Sequence, residues 1–130
     1  MSGGHTALII DDSPEMRLLV SALLGHIGCR VVVAGDGEAG LELARAEQPS
    51  LICLDVMLPV ESGFEVCEAL KRDPATAGIP VLIMSSRALP EDRAAAAYAG
   101  ADAFLRKPID RAAFLTRVEA LLARGRRAEA

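Results

Sequence analysis

Five short apolar runs punctuate the chain: Ala7–Ile10, Arg30–Ala34, Leu51–Leu54, Pro80–Met84 and Ala103–Leu105. They are rich in Val, Ile and Leu and nearly continuous, with no polar residue at every second position. Strands buried on both faces of a parallel sheet read this way.

The segments between the runs carry helical signals. Ser13 can cap a first helix, with Pro14 in its first turn, and Gly28 suits its end. Met16, Leu19, Val20, Leu23 and Leu24 recur at helical spacing, which predicts Leu19, Leu23 and Leu24 as core. Asp36 or Gly37 opens a second helix with Leu41 and Ala44 facing inward. Ser62 or Gly63 opens a third, carrying Phe64, Val66, Cys67 and Leu70. Pro90 or Glu91 opens an alanine-rich fourth that ends at Gly100. Asp110 caps a fifth, with Phe114, Leu115, Val118, Leu121 and Leu122 on one side. The strand–helix unit therefore repeats five times, and right-handed crossovers with short loops reduce this to an open, doubly wound α/β sheet.

Composition agrees with one compact domain over 1–130, its core spanning about 7–123. The chain has 130 residues, 52% of them hydrophobic and 25% charged, and a net charge of −4. An acidic balance and 3% aromatics argue against a nucleic-acid partner, which would want a basic face or stacking platforms. Cys29, Cys53 and Cys67 fit no zinc or redox spacing and read as small buried hydrophobes in a reducing compartment. No apolar stretch approaches the roughly 20 residues of a membrane span, and no signal peptide is visible. The expected location is the cytoplasm. Residues 124–130 read as a polar, frayed tail, and His26 as a surface cation near a helix end.

In a parallel sheet every strand delivers its C-terminal end to one edge, where ligands bind. Strand one ends in Asp11-Asp12, strand three in Asp55, strand four in Ser85 and strand five in Lys107-Pro108. Strand two ends in Ala34-Gly35 and brings nothing polar. Each residue has a plainer reading alone: an aspartate as cap or turn residue, a serine as strand terminator, a lysine as solvated loop residue. Convergence at one edge is what favours chemistry. Three carboxylates there repel one another unless a cation sits between them, and an oxygen-only ligand set suits Mg²⁺ better than zinc. Such a set suits phosphoryl transfer, with Asp55 as nucleophile, Asp11 and Asp12 holding Mg²⁺, and Ser85 and Lys107 donating to phosphoryl oxygens.

These residues sit in the segments LIIDDSP (8–14), LICLDVMLP (51–59), SGFEV (62–66), PVLIMSS (80–86) and GADAFLRKP (100–108). From Ala7 to Leu122 the chain resembles receiver domains of the two-component response-regulator family. The resemblance implies a flavodoxin-like fold with strand order 2-1-3-4-5. It implies that Asp55 accepts phosphate from a histidine kinase or phosphotransfer protein. Mg²⁺ would be held by Asp11, Asp12, Asp55 and the Met57 backbone carbonyl. Ser85 and Phe104 would be switch residues, Lys107 the phosphate-contacting lysine, and Lys107–Pro108 a cis peptide. The output would be a changed α4–β5–α5 face, with Arg93, Tyr98, Arg106 and Arg111, offered to a protein partner or a second copy. Ser62 stands where the family often has an acidic residue, which reads as a change of helix cap. Arg87, two residues past Ser85, is long enough to cover or pair with the phosphoryl group.

Two other readings use the same residues differently. A haloacid-dehalogenase-like phosphohydrolase also employs an aspartyl phosphate, Mg²⁺, a hydroxyl and a lysine, but its nucleophile follows the first strand. A nucleotide- or flavin-binding domain would want a glycine-rich phosphate motif after the first strand, and none is present.

Overall fold

The computed structural model describes residues 4–129, with side chains through Arg124. The elements alternate as β1 (Thr6–Ile10), α1 (Pro14–His26), β2 (Arg30–Ala34), α2 (Gly37–Glu47), β3 (Leu51–Asp55), α3 (Gly63–Arg72), β4 (Val81–Ser85), α4 (Pro90–Tyr98), β5 (Ala103–Arg106) and α5 (Arg111–Glu129). All strands are parallel, in the order β2-β1-β3-β4-β5.

Successive strand residues point to opposite faces, so each strand feeds two cores. Ala7, Ile9, Leu51, Cys53, Leu82 and Met84 face α1 and α5, meeting Val20, Leu23, Leu24, Phe114 and Val118. Leu8, Ile10, Ile52, Leu54, Val81 and Ile83 face α2, α3 and α4, meeting Ala44, Val66, Cys67, Leu70 and Ala96. The middle strands β3 and β4 are buried throughout. The expectation of burial on both faces fails for β2 and β5, where Val33 is 46% exposed and β5 is only half-buried. They are the sheet's edges, and each has a neighbour on one side alone.

The helix starts follow from local side-chain bonds. Ser13 Oγ accepts from Met16 N at 3.2 Å, and Asp36 Oδ1 from Ala39 N at 2.8 Å. Ser62 Oγ accepts from Glu65 N, while the Glu65 carboxylate accepts from Ser62 N, a reciprocal cap. At α4 the cap runs backward, with Leu89 N–H donating to Asp92 Oδ2 at 3.1 Å. Asp110 Oδ2 accepts from Ala113 N at 2.8 Å. Gly28 follows α1 at φ 87°, the left-handed conformation that ends helices.

Two expectations need correcting. Leu19 is 43% exposed and not core; the buried stripe of α1 is Val20, Leu23 and Leu24. Leu18, Leu19 and Val20 are consecutive, so only one of them can point straight at the sheet. The helix α5 also continues to Glu129, where a frayed tail was expected. Side chains from 125 onward lie outside the described residues. Among the described residues, no helix is long and apolar enough to cross a membrane.

Candidate functional site

The C-terminal ends of β1 and β3 place three aspartates together. Asp11, Asp12 and Asp55 each offer an oxygen within 4.8 Å of the others. Asp11 is fully buried, Asp55 is 3% exposed, and Asp12 faces solvent. Asp11 also does local work, since its Oδ1 accepts from Ser13 N at 2.9 Å. The plainer turn reading of that aspartate therefore holds. Arg17, one turn into α1, donates from Nη1 to the Asp11 carbonyl at 2.9 Å and pins the β1 end.

Lys107 comes from the end of β5 and crosses the sheet edge. Its Nζ lies 2.8 Å from Asp55 Oδ1 and 3.5 Å from Asp11 Oδ2. The Lys107–Pro108 peptide is cis, as expected. Burial pushes the Asp55 carboxyl above the usual carboxylate range. The hydrogen bond from Lys107 opposes this, the charge of Asp11 adds to it, and the Met57 backbone N–H favours the ionised form. Asp55 is thus a desolvated carboxylate held by one cation, on a buried middle strand.

Gly63 lets the β3–α3 loop close over this site. Its N–H donates to the Val56 carbonyl at 2.8 Å. A Cβ there would lie 2.2 Å from the Asp55 carbonyl oxygen and 2.8 Å from Val56 Cα. Those neighbours are backbone, so no side chain can swing aside. This constraint was missed in the sequence, where Gly63 read only as a possible helix start. The Met57 side chain points outward and is 64% exposed.

Ser85, at the end of β4, is buried beside the site, and its Oγ accepts from Arg87 N at 3.0 Å. The Arg87 side chain turns to Asp92 at the start of α4, with Nε 3.7 Å from Oδ2. Phe104 on β5 is half-buried, with the Arg93 guanidinium 4.8 Å from its ring centroid. Tyr98 lies elsewhere than expected: it lines a groove with Glu68, Lys71 and Arg72 of α3, away from β5.

Oxygen donors alone make up the acidic cluster, and its spacing lets one small hard cation touch all three carboxylates, so the residues fit Mg²⁺. The arrangement can hold a divalent cation, offer one buried carboxylate as a nucleophile, and present a lysine and a hydroxyl to a bound anion.

Residues 7–119 match the family described as the response regulator receiver domain. The chain belongs to that family, the signalling switches of two-component systems. It is 47% identical over 117 residues to the DNA-binding dual master transcriptional regulator RpaA of Synechocystis, covering 90% of this chain and 48% of that protein. It is 34% identical to Protein PilH of Pseudomonas aeruginosa, covering 89% of this chain and 96% of that one. The chain thus spans about half the length of RpaA and nearly all of PilH. Among solved structures, chemotaxis protein CheY4 of Vibrio cholerae superposes with a TM-score of 0.85 at 29% identity, covering 90% of this chain and 98% of that one. The phosphohydrolase reading finds no support. The family match is to receivers.

Proposed function

We propose that Asp55 is the phosphoacceptor and that a histidine kinase or phosphotransfer protein is the donor. One Asp55 oxygen attacks phosphorus, the bond from phosphorus to the donor's imidazole nitrogen breaks, and its electron pair stays on the imidazole. Asp11, Asp12, Asp55 and the Met57 backbone carbonyl would hold Mg²⁺. When bound, that ion neutralises charge on the phosphoryl oxygens. Lys107 gives up its contact with the Asp55 carboxylate to bond a phosphoryl oxygen, and Ser85 moves toward another. The chain catalyses only this gain of phosphate and its later loss to water.

The observation that carries this reading is Asp55 itself. It is 3% exposed, is paired with Lys107 at 2.8 Å, and lies within 4.8 Å of two further carboxylates. Movement of Ser85 opens space beneath Phe104, whose phenyl ring gains about 25 cal/mol for each Å² it buries. The ring then turns inward and changes the face formed by α4, β5 and α5, through which a downstream protein or a second copy is engaged. Residues 7–123 act as one switching unit. The three free, buried cysteines support a reducing, cytoplasmic setting.

Incubation with acetyl phosphate and Mg²⁺, followed by intact-protein mass spectrometry, tests the assignment. Wild type is expected to gain one phosphoryl group and Asp55→Asn none. Full labelling of Asp55→Asn would overturn it.

A further inference from the structure

The face built from α4, β5 and α5 has a charge arrangement that selects among partners. Arg93 lies on the side of α4 that meets β5, because its guanidinium sits over the Phe104 ring. Arg106 ends the edge strand β5 and is exposed. Arg124 reaches Asp102, beside the start of β5, at 3.1 Å, which identifies the side of α5 that faces β5. Arg117 is two turns earlier on that same side and is exposed. The small exposed residues Ala97 of α4 and Ala113 and Ala120 of α5 lie among these arginines, so the guanidinium groups stand above a low floor.

The carboxylates of these elements face elsewhere or are engaged. Glu91 and Glu119 are each two residues from an arginine of the strip, roughly 200° around their helices. Asp92 binds Leu89 N and Arg87. Asp102 is shared by Lys71, Val81 N and Arg124. Asp110 caps α5 through Ala113 N. The result is a basic strip on a chain whose net charge is −4.

We propose that this strip binds an acidic polypeptide segment, rich in Asp and Glu around an apolar residue that rests on the alanine floor. A second copy fits poorly. A two-fold interface sets a surface patch against itself, so arginine would meet arginine with no uncommitted carboxylate of the patch to answer it. The inference rests on the α4–β5–α5 output described above, and it adds a regulatory term. An inward turn of Phe104 removes the ring beneath Arg93 and frees that guanidinium for the partner. An exposed cation–π contact of this kind is worth roughly a two- to fivefold change in affinity.

The test uses the full chain and a fluorescein-labelled peptide of alternating Asp and Glu with a central Leu, read by anisotropy with and without beryllofluoride. The strip variant is Arg93→Glu/Arg106→Glu/Arg117→Glu. Its control is Arg30→Glu/Arg45→Glu/Arg72→Glu, which changes net charge equally on other faces, where exposed ion pairs contribute little. The strip variant is expected to lose roughly tenfold or more in affinity, the control less than about threefold. Single reversals at Arg106 and Arg117, both exposed, carry the test if the triple variant does not fold. Equal losses in strip and control variants would overturn the proposal. So would a beryllofluoride-induced dimer, seen by sedimentation, that strip reversal abolishes. Tighter binding of labelled duplex DNA or phosphatidylserine vesicles than of the peptide, released by the same reversal, would also overturn it. A strip-dependent affinity that beryllofluoride leaves unchanged keeps the surface and refutes the coupling through Phe104, so the two failures are separable.

Discussion

Gly63→Ala inserts one methyl group where the β3–α3 loop touches the backbone of Asp55, the proposed phosphoacceptor. The new Cβ would meet the Asp55 carbonyl oxygen at 2.2 Å and Val56 Cα at 2.8 Å. Ordinary contacts lie near 3.3 Å and beyond, so the loop must retreat by roughly 1 Å. Overpacking of this kind costs about 1–3 kcal/mol. The retreat also strains the 2.8 Å bond from Gly63 N to the Val56 carbonyl, worth about 0.5–1.5 kcal/mol. The better helix propensity of alanine returns at most about 1 kcal/mol at this first helical position. The net expectation is a loss of about 2–3 kcal/mol, or roughly 6–12 °C in Tm for a domain of this size. Because the displaced peptide carries Asp55, phosphorylation by acetyl phosphate is expected to slow by at least about tenfold. Urea unfolding followed by circular dichroism measures the first effect, and Phos-tag electrophoresis over time the second. Gly78→Ala is the control, since a Cβ there meets nothing within 4 Å. Equal stability of the two variants would refute the close-approach argument.

Other outcomes follow from the same site. The Asp55 carboxyl ionises less readily in the fold than in the unfolded chain, where its ordinary value is 3.8, because burial disfavours its charge. Its contribution to stability is therefore full below that value and is lost as pH rises through the higher folded value. Asp55→Asn should be more stable than wild type at neutral pH, the advantage shrinking in acid; urea midpoints with a pH-independent difference would contradict this. Mg²⁺ is expected to raise the urea midpoint of wild type, by about 1.4 kcal/mol at tenfold its Kd. Asp12→Ala, which alters an exposed ligand at little structural cost, should abolish most of that gain, and an undiminished gain would remove Asp12 from the site. Burial pushes the Cys67 thiol up to about 11 and raises those of Cys29 and Cys53 as well. Ellman's reagent should therefore label the three thiols only along the urea transition, and fast labelling of native protein would show the core to be looser than described.

Much of the fold and site was readable from residues whose bonds are local. Ser13, Asp36 and Ser62 cap within three residues, so their positions alone announced three helix starts. The convergence of Asp11, Asp12, Asp55, Ser85 and Lys107 was legible because parallel strands must deliver their ends to one edge. What stayed hidden depends on contacts between distant segments. The burial of Val33 and Leu19 depends on which neighbours flank an edge strand or a helix, and no periodicity states that. The ion pair of Lys71 with Asp102 joins residues 31 positions apart and left no trace in either local segment. Tyr98 was misplaced because proximity in sequence does not fix which way a side chain turns. Gly63 offered one usable signal: a glycine immediately after a capping serine, where most residues would serve the helix better.

The central claim is that events at Asp55 reach the α4–β5–α5 face through Ser85 and Phe104. Backbone amide chemical shifts, recorded with and without beryllofluoride plus Mg²⁺ in wild type and Ser85→Ala, test it most directly. The predicted result is a shift path in wild type from the Asp55 loop through Ser85 and Phe104 into α4 and the start of α5. In Ser85→Ala the Asp55 loop should still shift while that path fades. Wild-type shifts confined to the loop around Asp55, with Phe104 and α4 silent, would contradict the account.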